Sequence, residues 1–192
     1  MKCDDGGMAD RFRPGAGDLL ISSPLIDGPE FSRTIVLLLN VDDDGALGVI
    51  INRPSEVGIE VVLDRWTDLV SPPAVLFSGG PVEPDGAVCV ARLAAGAEAP
   101  QGWRAMFGSL GLVDLDEPVS GSFDAVRIYA GYAGWGADQL ESELAEGAWF
   151  VVPSEPADLV STDPESLWRS VLRRQSVPVS YLATMPVDPT RN

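Results

Sequence analysis

Apolar residues along this chain fall into short blocks with two different periods. Asp18 to Ser22 is a brief apolar run; Arg33 to Asn40 and Leu47 to Asn52 are longer runs joined by VDDDGA. The Asp44-Gly45 pair between them marks a hairpin, because glycine accepts the positive φ that tight turns need. Apolar side chains occupy both parities of these runs, which predicts strands covered on both faces. The period then changes. Ile59, Val62, Leu63, Trp66, Leu69 and Val70 follow i, i+3, i+4, i+7 spacing and predict a helix that Pro72-Pro73 stops. Ala74 to Phe77 reads as a strand leading into SGGPV, and Gly86 to Arg92 as another. Val126 to Ala130 reads as a strand followed by a loop, GYAGWG, and then a helix from Ala137 to Glu146 with Leu140 and Leu144 as its buried stripe. Gly147 supplies that helix's C-terminal stop. Trp149 to Val152 returns as a strand. The last helix has the clearest start in the chain: Asp163 suits the N-cap, Pro164 the first helical position, and Glu165 complements the dipole. Its apolar face is Leu167, Trp168, Val171 and Leu172.

Hairpins dominate the first half, and strands alternate with helices in the second. That order predicts a mixed sheet with helices packed on it, in the α/β or α+β class. The 192 residues suit one domain. We place it at 14–182, between a flexible N-terminal arm (1–13) and a C-terminal tail (183–192), with LAAGAEAPQG (93–102) as an internal loop. No apolar run approaches the roughly 18 residues of a membrane helix. The start, MKCDDGGMAD, has no apolar core of a secretory signal, so the expected location is cytoplasmic.

The residue inventory narrows the chemistry. Lys plus Arg number 13 and Asp plus Glu 29, a net charge of −16, which argues against nucleic acid and against anionic membranes as partners. Histidine is absent, which removes Ser-His-Asp and Cys-His catalysis and every His-containing zinc site. The one lysine, Lys2, lies in the arm, so a phosphate-loop lysine and a Schiff base are missing as well. Two cysteines, Cys3 and Cys89, make neither a Cys₄ site nor a disulfide framework. No cofactor is implied.

Several segments still invite a functional reading. Asn40 to Gly45 imitates the start of a calcium-binding EF-hand loop, but the position that needs a bidentate glutamate is Ile51, so a solvated acidic hairpin tip is expected. Cys89 sits in an apolar strand and reads as a small buried hydrophobe. The glycines of GYAGWG would let a ligand approach closely, with Tyr132 and Trp135 stacking on it; the competing reading is a tight turn with both aromatics in the core. SGGP ends a strand and defaults to a structural turn. Arg53, in Asn52-Arg53-Pro54, suits either a carboxylate clamp or an internal ion pair. Acid pairs such as Asp114 and Asp116 are uninformative amid such an acidic excess.

In this order, GDLLISSPLIDGPEFSRTIVLLL, GALGVIINRP, LFSGGPV and GYAGWGADQLESELAEGAWF resemble the bacterial YqgE/AlgH proteins, over roughly residues 15–175. The resemblance implies a single three-layer domain with a mixed β-sheet flanked by helices and a barrel-like elaboration. It implies no reaction; one branch of the family is linked to exopolysaccharide regulation. Many relatives carry histidine where this chain has Asn40 and near Val90, so an activity needing those imidazoles does not carry over.

Three functional readings follow. The favoured one is a non-enzymatic binding or regulatory module for a small ligand or protein partner. Its groove would form where strand exits converge: Asn52 and Arg53; Gly79, Gly80 and Pro81; and Tyr132, Gly134, Trp135 and Gln139. The second is a hydrolase or transferase using carboxylates and a divalent cation. The third is a structural role in a homodimer that buries Trp103, Phe107 or the hairpin.

Overall fold

Apolar residues on both parities of the early strands have the consequence expected of them: both sheet faces are covered. The computed structural model describes residues 14–185 other than 25, 27, 119 and 120; the expected arm and most of the expected tail lie outside these. β1 (Asp18–Ser22), β2 (Ile35–Asp42) and β3 (Gly45–Ile50) form an antiparallel meander, with the tight turn at Asp43-Asp44. Leu19, Ile21, Ile35, Leu37, Leu39, Val49 and Ile51 face one core with Leu167, Trp168, Val171 and Leu172 of α3 (Leu167–Arg173). Leu20, Val36, Leu38, Ala46 and Ile50 face the other way, onto Leu140 of α2 (Gln139–Ala145) and the partly buried Ile26 and Phe31. The result is three layers of the α+β class.

Ten strands make one curled, mostly antiparallel sheet in the order β10-β1-β2-β3-β9-β6-β8-β7, with β4 and β5 beside the main path. β4 (Pro54–Gly58) pairs with β5 (Val75–Ser78), and β5 makes the sheet's parallel pairing, with β9. β6 (Val82–Leu93), β7 (Trp103–Phe107) and β8 (Leu110–Val113) continue the other side, and β10 (Trp149–Pro153) lies at the end of the order, paired with β1.

β9 (Phe123–Gly136) runs on through GYAGWG, so the expected loop is strand. The reason is pairing: Gly45, Ala46, Leu47 and Gly48 of β3 lie opposite Gly136, Trp135, Gly134 and Ala133. The helix expected across 59–70 is also shorter. α1 spans Ile59–Val62, a 3-10 turn follows at Asp64–Trp66, and Leu63 between them leaves helical geometry. No side chain caps α1, and its β-branched Ile, Val and Val favour helix poorly. The apolar stripe survives the break, since Ile59 and Trp66 are buried against Cys89, Val126 and Ile128. Val62 is the exception and is exposed. At the far end, Asp163 accepts from the Ser166 N–H as expected of a cap, and Pro164 opens a 3-10 turn that becomes α3. A further 3-10 helix, Val179–Thr184, carries buried Ala183, so folded structure runs past the expected boundary at 182.

Candidate functional site

The three segments expected to converge do meet, but in a seam of backbone. Ser78 donates its N–H to the carbonyl of Arg53 at 2.9 Å. Gly79 donates to Ala130 O, and its own carbonyl accepts from Ile50 N–H, both at 2.8 Å. The exits of β3 and β5 are thereby stitched to the middle of β9. A Cβ on Gly79 would strike the carbonyl of Gly131, and one on Gly80 the backbone of Tyr132. Gly131, at φ +67°, would bring a Cβ within 2.6 Å of Gly80 O. The glycines of SGGP and GYAG therefore serve each other: main chain fills the space that a ligand was expected to occupy.

The side chains around the seam are also engaged internally. Asn52 is buried; its Oδ1 accepts from Ile35 N–H at 2.8 Å and its Nδ2 donates to Arg33 O at 2.9 Å. Arg53 is neither clamp nor ion pair among the described residues: it donates to Pro29 O at 2.7 Å and Ser32 O at 2.9 Å, pinning the 29–32 turn. Partial burial lowers its pKa. Pro81 is exposed just before β6, Tyr132 is half-buried against the first core, and Gly134 is exposed beneath the Tyr132 ring.

Trp135 and Gln139 lie apart from that seam, around Glu143, which the sequence offered only as half of an uninformative acid pair with Glu141. Glu143 Oε2 accepts from the indole N–H of Trp135 at 2.9 Å and of Trp149 at 2.7 Å, while Oε1 accepts from Gln139 Nε2 at 2.9 Å. Gln139 Oε1 in turn accepts from Gly136 N–H at 3.1 Å. Phe31 packs edge-on to Trp149 at 5.6 Å, and Trp149 packs edge-on to Trp135 at 5.9 Å. A half-buried carboxylate taking two indole donors locks α2 to both β9 and β10. The signal available beforehand was the i, i+4 spacing of Gln139 and Glu143, which puts both on one helix face.

Beyond α2 a groove of about 620 Å³ opens, walled by Glu141, Leu144, Trp149, Val151, Gln175 and Val179. All four residues from Trp149 to Val152 line it, both parities of one strand, so it follows the edge of β10. Ser23 N–H bonds to Ala148 O, and antiparallel alternation then turns Phe150 and Val152 toward β1 and Val151 outward. The peptide N–H and C=O of Val151 lie on the edge not paired with β1.

A smaller hollow of about 210 Å³ lies at the hairpin tip, where Asp42, Asp43, Asp138 and Glu141 meet. Within the tip, Asp42 Oδ1 accepts from Asp44 N–H at 2.9 Å, an Asx turn and not a calcium loop. Among the described residues no group of three or more Asp, Glu or Cys is placed to hold a metal ion. No helix among them is long and apolar enough to cross a membrane.

Comparison with known proteins gives a consistent result. A family model described as AlgH-like matches residues 19–180. A UPF0301 protein of Streptomyces avermitilis is 50% identical over 182 residues, which cover 92% of this chain and 94% of that one. A UPF0301 protein of Thermobifida fusca is 43% identical over 188 residues, covering 92% and 94%. The crystal structure of a Corynebacterium diphtheriae protein superposes with a TM-score of 0.86 at 28% identity, covering 92% of this chain and 95% of its own. The solution structure of the AlgH protein from Pseudomonas aeruginosa superposes at 0.64 and 28% identity, covering 90% and 95%.

Proposed function

This chain belongs to the AlgH-like family, and from that premise we propose that it is a non-enzymatic binding module that takes an extended, apolar segment of a partner polypeptide. The binding place moves from the strand exits to the groove along β10. One arrangement carries the reading: an apolar trough is lined by a terminal strand of the sheet, and strand alternation puts the Val151 N–H and C=O on the edge not paired with β1. Strand addition uses such an edge, with backbone bonds giving affinity and flanking pockets giving specificity. Glu141 on the rim and the net charge of −16 favour a segment that carries basic residues between its apolar ones. In this reading Trp135 and Gln139 act indirectly, holding Glu143 and so the α2 wall. Asn52, Arg53, Gly79, Gly80, Pro81, Tyr132 and Gly134 act further back, by holding the sheet seam on which that wall rests.

The cation-dependent hydrolase has less support, because among the described residues no three acids are placed to hold a metal ion. The test is calorimetry with a capped Val-Lys-Val-Lys-Val-Lys peptide against the wild-type chain and Val151→Pro. Proline removes the outward N–H, and edge strands tolerate it. We expect binding to the wild type, at least tenfold weaker binding to the variant, and weaker binding again when the central valine of the peptide is proline. Equal heats for both proteins, or no heat at all, would overturn strand addition.

A further inference from the structure

Arg127 stands on β9, two residues before Tyr129, so both side chains leave the same face of the strand toward the first core. Its residue exposure is 1%, and that of Tyr129 is 0%. A guanidinium remains charged in a protein interior, and a buried charge normally has a carboxylate beside it. Arg127 has none. Nη2 donates to two carbonyls, Pro72 O at 2.9 Å and Ser161 O at 3.2 Å, and the group lies 4.2 Å over the Phe77 ring. Nε, Nη1 and the Tyr129 hydroxyl are all buried without a hydrogen-bond partner among the described residues. Each such group carries a desolvation penalty, and a charged one more than a neutral one. Two guanidinium nitrogens, and the phenol two residues along the same face, are thus left without an acceptor among the described residues.

We infer that Arg127 and Tyr129 form an interior receptor for one small monovalent anion, either an inorganic ion or the carboxylate head of a small acid. The charge fits, because one negative ion neutralises the guanidinium and accepts from Nε or Nη1 and from the phenol together. Size is limited, because Nη2 already spends both protons on carbonyls, which leaves no full two-nitrogen edge for a bulky phosphate. Access is short. The two carbonyls that grip Nη2 belong to connecting segments, 71–73 and 154–163, whose Pro72 and Thr162 are exposed. Entry between them would loosen the bonds that tie Ser71 to Val126 of β9, a local opening that leaves the strand ladders paired. Burial also lowers the pKa of Arg127, opposed in part by Tyr129, as expected of a cation lacking its counter-charge.

The test is thermal unfolding of the full chain at constant ionic strength, held with a bulky sulfonate, while sodium chloride or sodium acetate is titrated in. A specific site raises Tm along a saturating curve, by about 3–5 °C at tenfold above the dissociation constant. Arg127→Met abolishes that response and Tyr129→Phe weakens it. Saturation by chloride alone assigns an inorganic ion, and by acetate alone a carboxylate. A wild type indifferent to both anions, or an Arg127→Met variant that responds equally, would overturn the assignment. If Arg127→Met does not fold, wild-type crystals soaked in bromide and, separately, in acetate decide: an anomalous bromide peak or acetate density within hydrogen-bond reach of Nε or Nη1 supports the site, and its absence from both removes it.

Discussion

At the scale of single residues, burial sets the chemistry of the groups that this chain retains. Cys89 sits among Ile59, Trp66 and Ile128, and burial pushes its thiol from 9.0 up to about 12; Tyr129 rises for the same reason. The thiolate is the reactive form, so this cysteine is inert in the native protein. Linkage gives the sign for stability. A folded pKa above the unfolded one means that Cys89 contributes fully below about pH 9, and that the contribution is lost as pH rises from 9 to 12. Each pH unit in that window removes about 1.4 kcal/mol. Cys89→Ala therefore flattens the alkaline limb of a urea-stability profile between pH 9 and 12 and leaves the slope at pH 7 unchanged. The buried-hydrophobe reading of Cys89 was legible from its apolar neighbours. The role of Glu143 was not, because its i, i+4 spacing from Gln139 says nothing of Trp135 and Trp149 until the fold brings them to it.

At the scale of elements, the seam between β3, β5 and β9 explains why two glycine motifs far apart in sequence belong together. Gly79, Gly80 and Gly131 let three stretches of main chain approach within the volume of a methyl group. Gly131→Ala forces a left-handed φ on alanine and drives its Cβ into Gly80 O. Chemical denaturation is expected to show a loss of about 3 kcal/mol or more, beyond the ordinary cost of a surface substitution. The hydrophobic periods found the hairpin, the stripe of α3 and its Asp163 cap, since each is a local pattern. They did not find β4, β7 or β8, which are short and lack strict alternation, and they read GYAGWG as a loop. Glycine signals a turn in isolation; here pairing with β3 on one edge and β6 on the other makes it strand.

At the scale of the whole molecule, the curl of the sheet decides which surfaces remain available. β7 ends the strand order opposite β10, yet Phe107 packs on the first core and lies against Gly17, just before β1. Trp103 stacks on Phe123 at 5.4 Å. The aromatics considered for a dimer interface thus make contacts within the chain as well. Phe107→Ala is expected to lower stability by about 2 kcal/mol, less than a fully buried phenylalanine would cost. Its unfolding midpoint should shift equally at low and high protein concentration, where an interface residue would make the shift concentration-dependent.

What the amino-acid order determined alone was local and statistical: the longer strands and the last helix, that both faces of the first strands are covered, and that histidine is absent and lysine limited to Lys2. Tertiary structure decided where the motifs end up. The conspicuous glycines and Asn52 went into holding the sheet together, while the groove at β10, the Glu143 hub and the uncompensated Arg127 arose from unmarked residues. The reason is physical. Periodicity reports how a residue sits on its own element, whereas a site depends on distances between elements, which only the packed sheet sets.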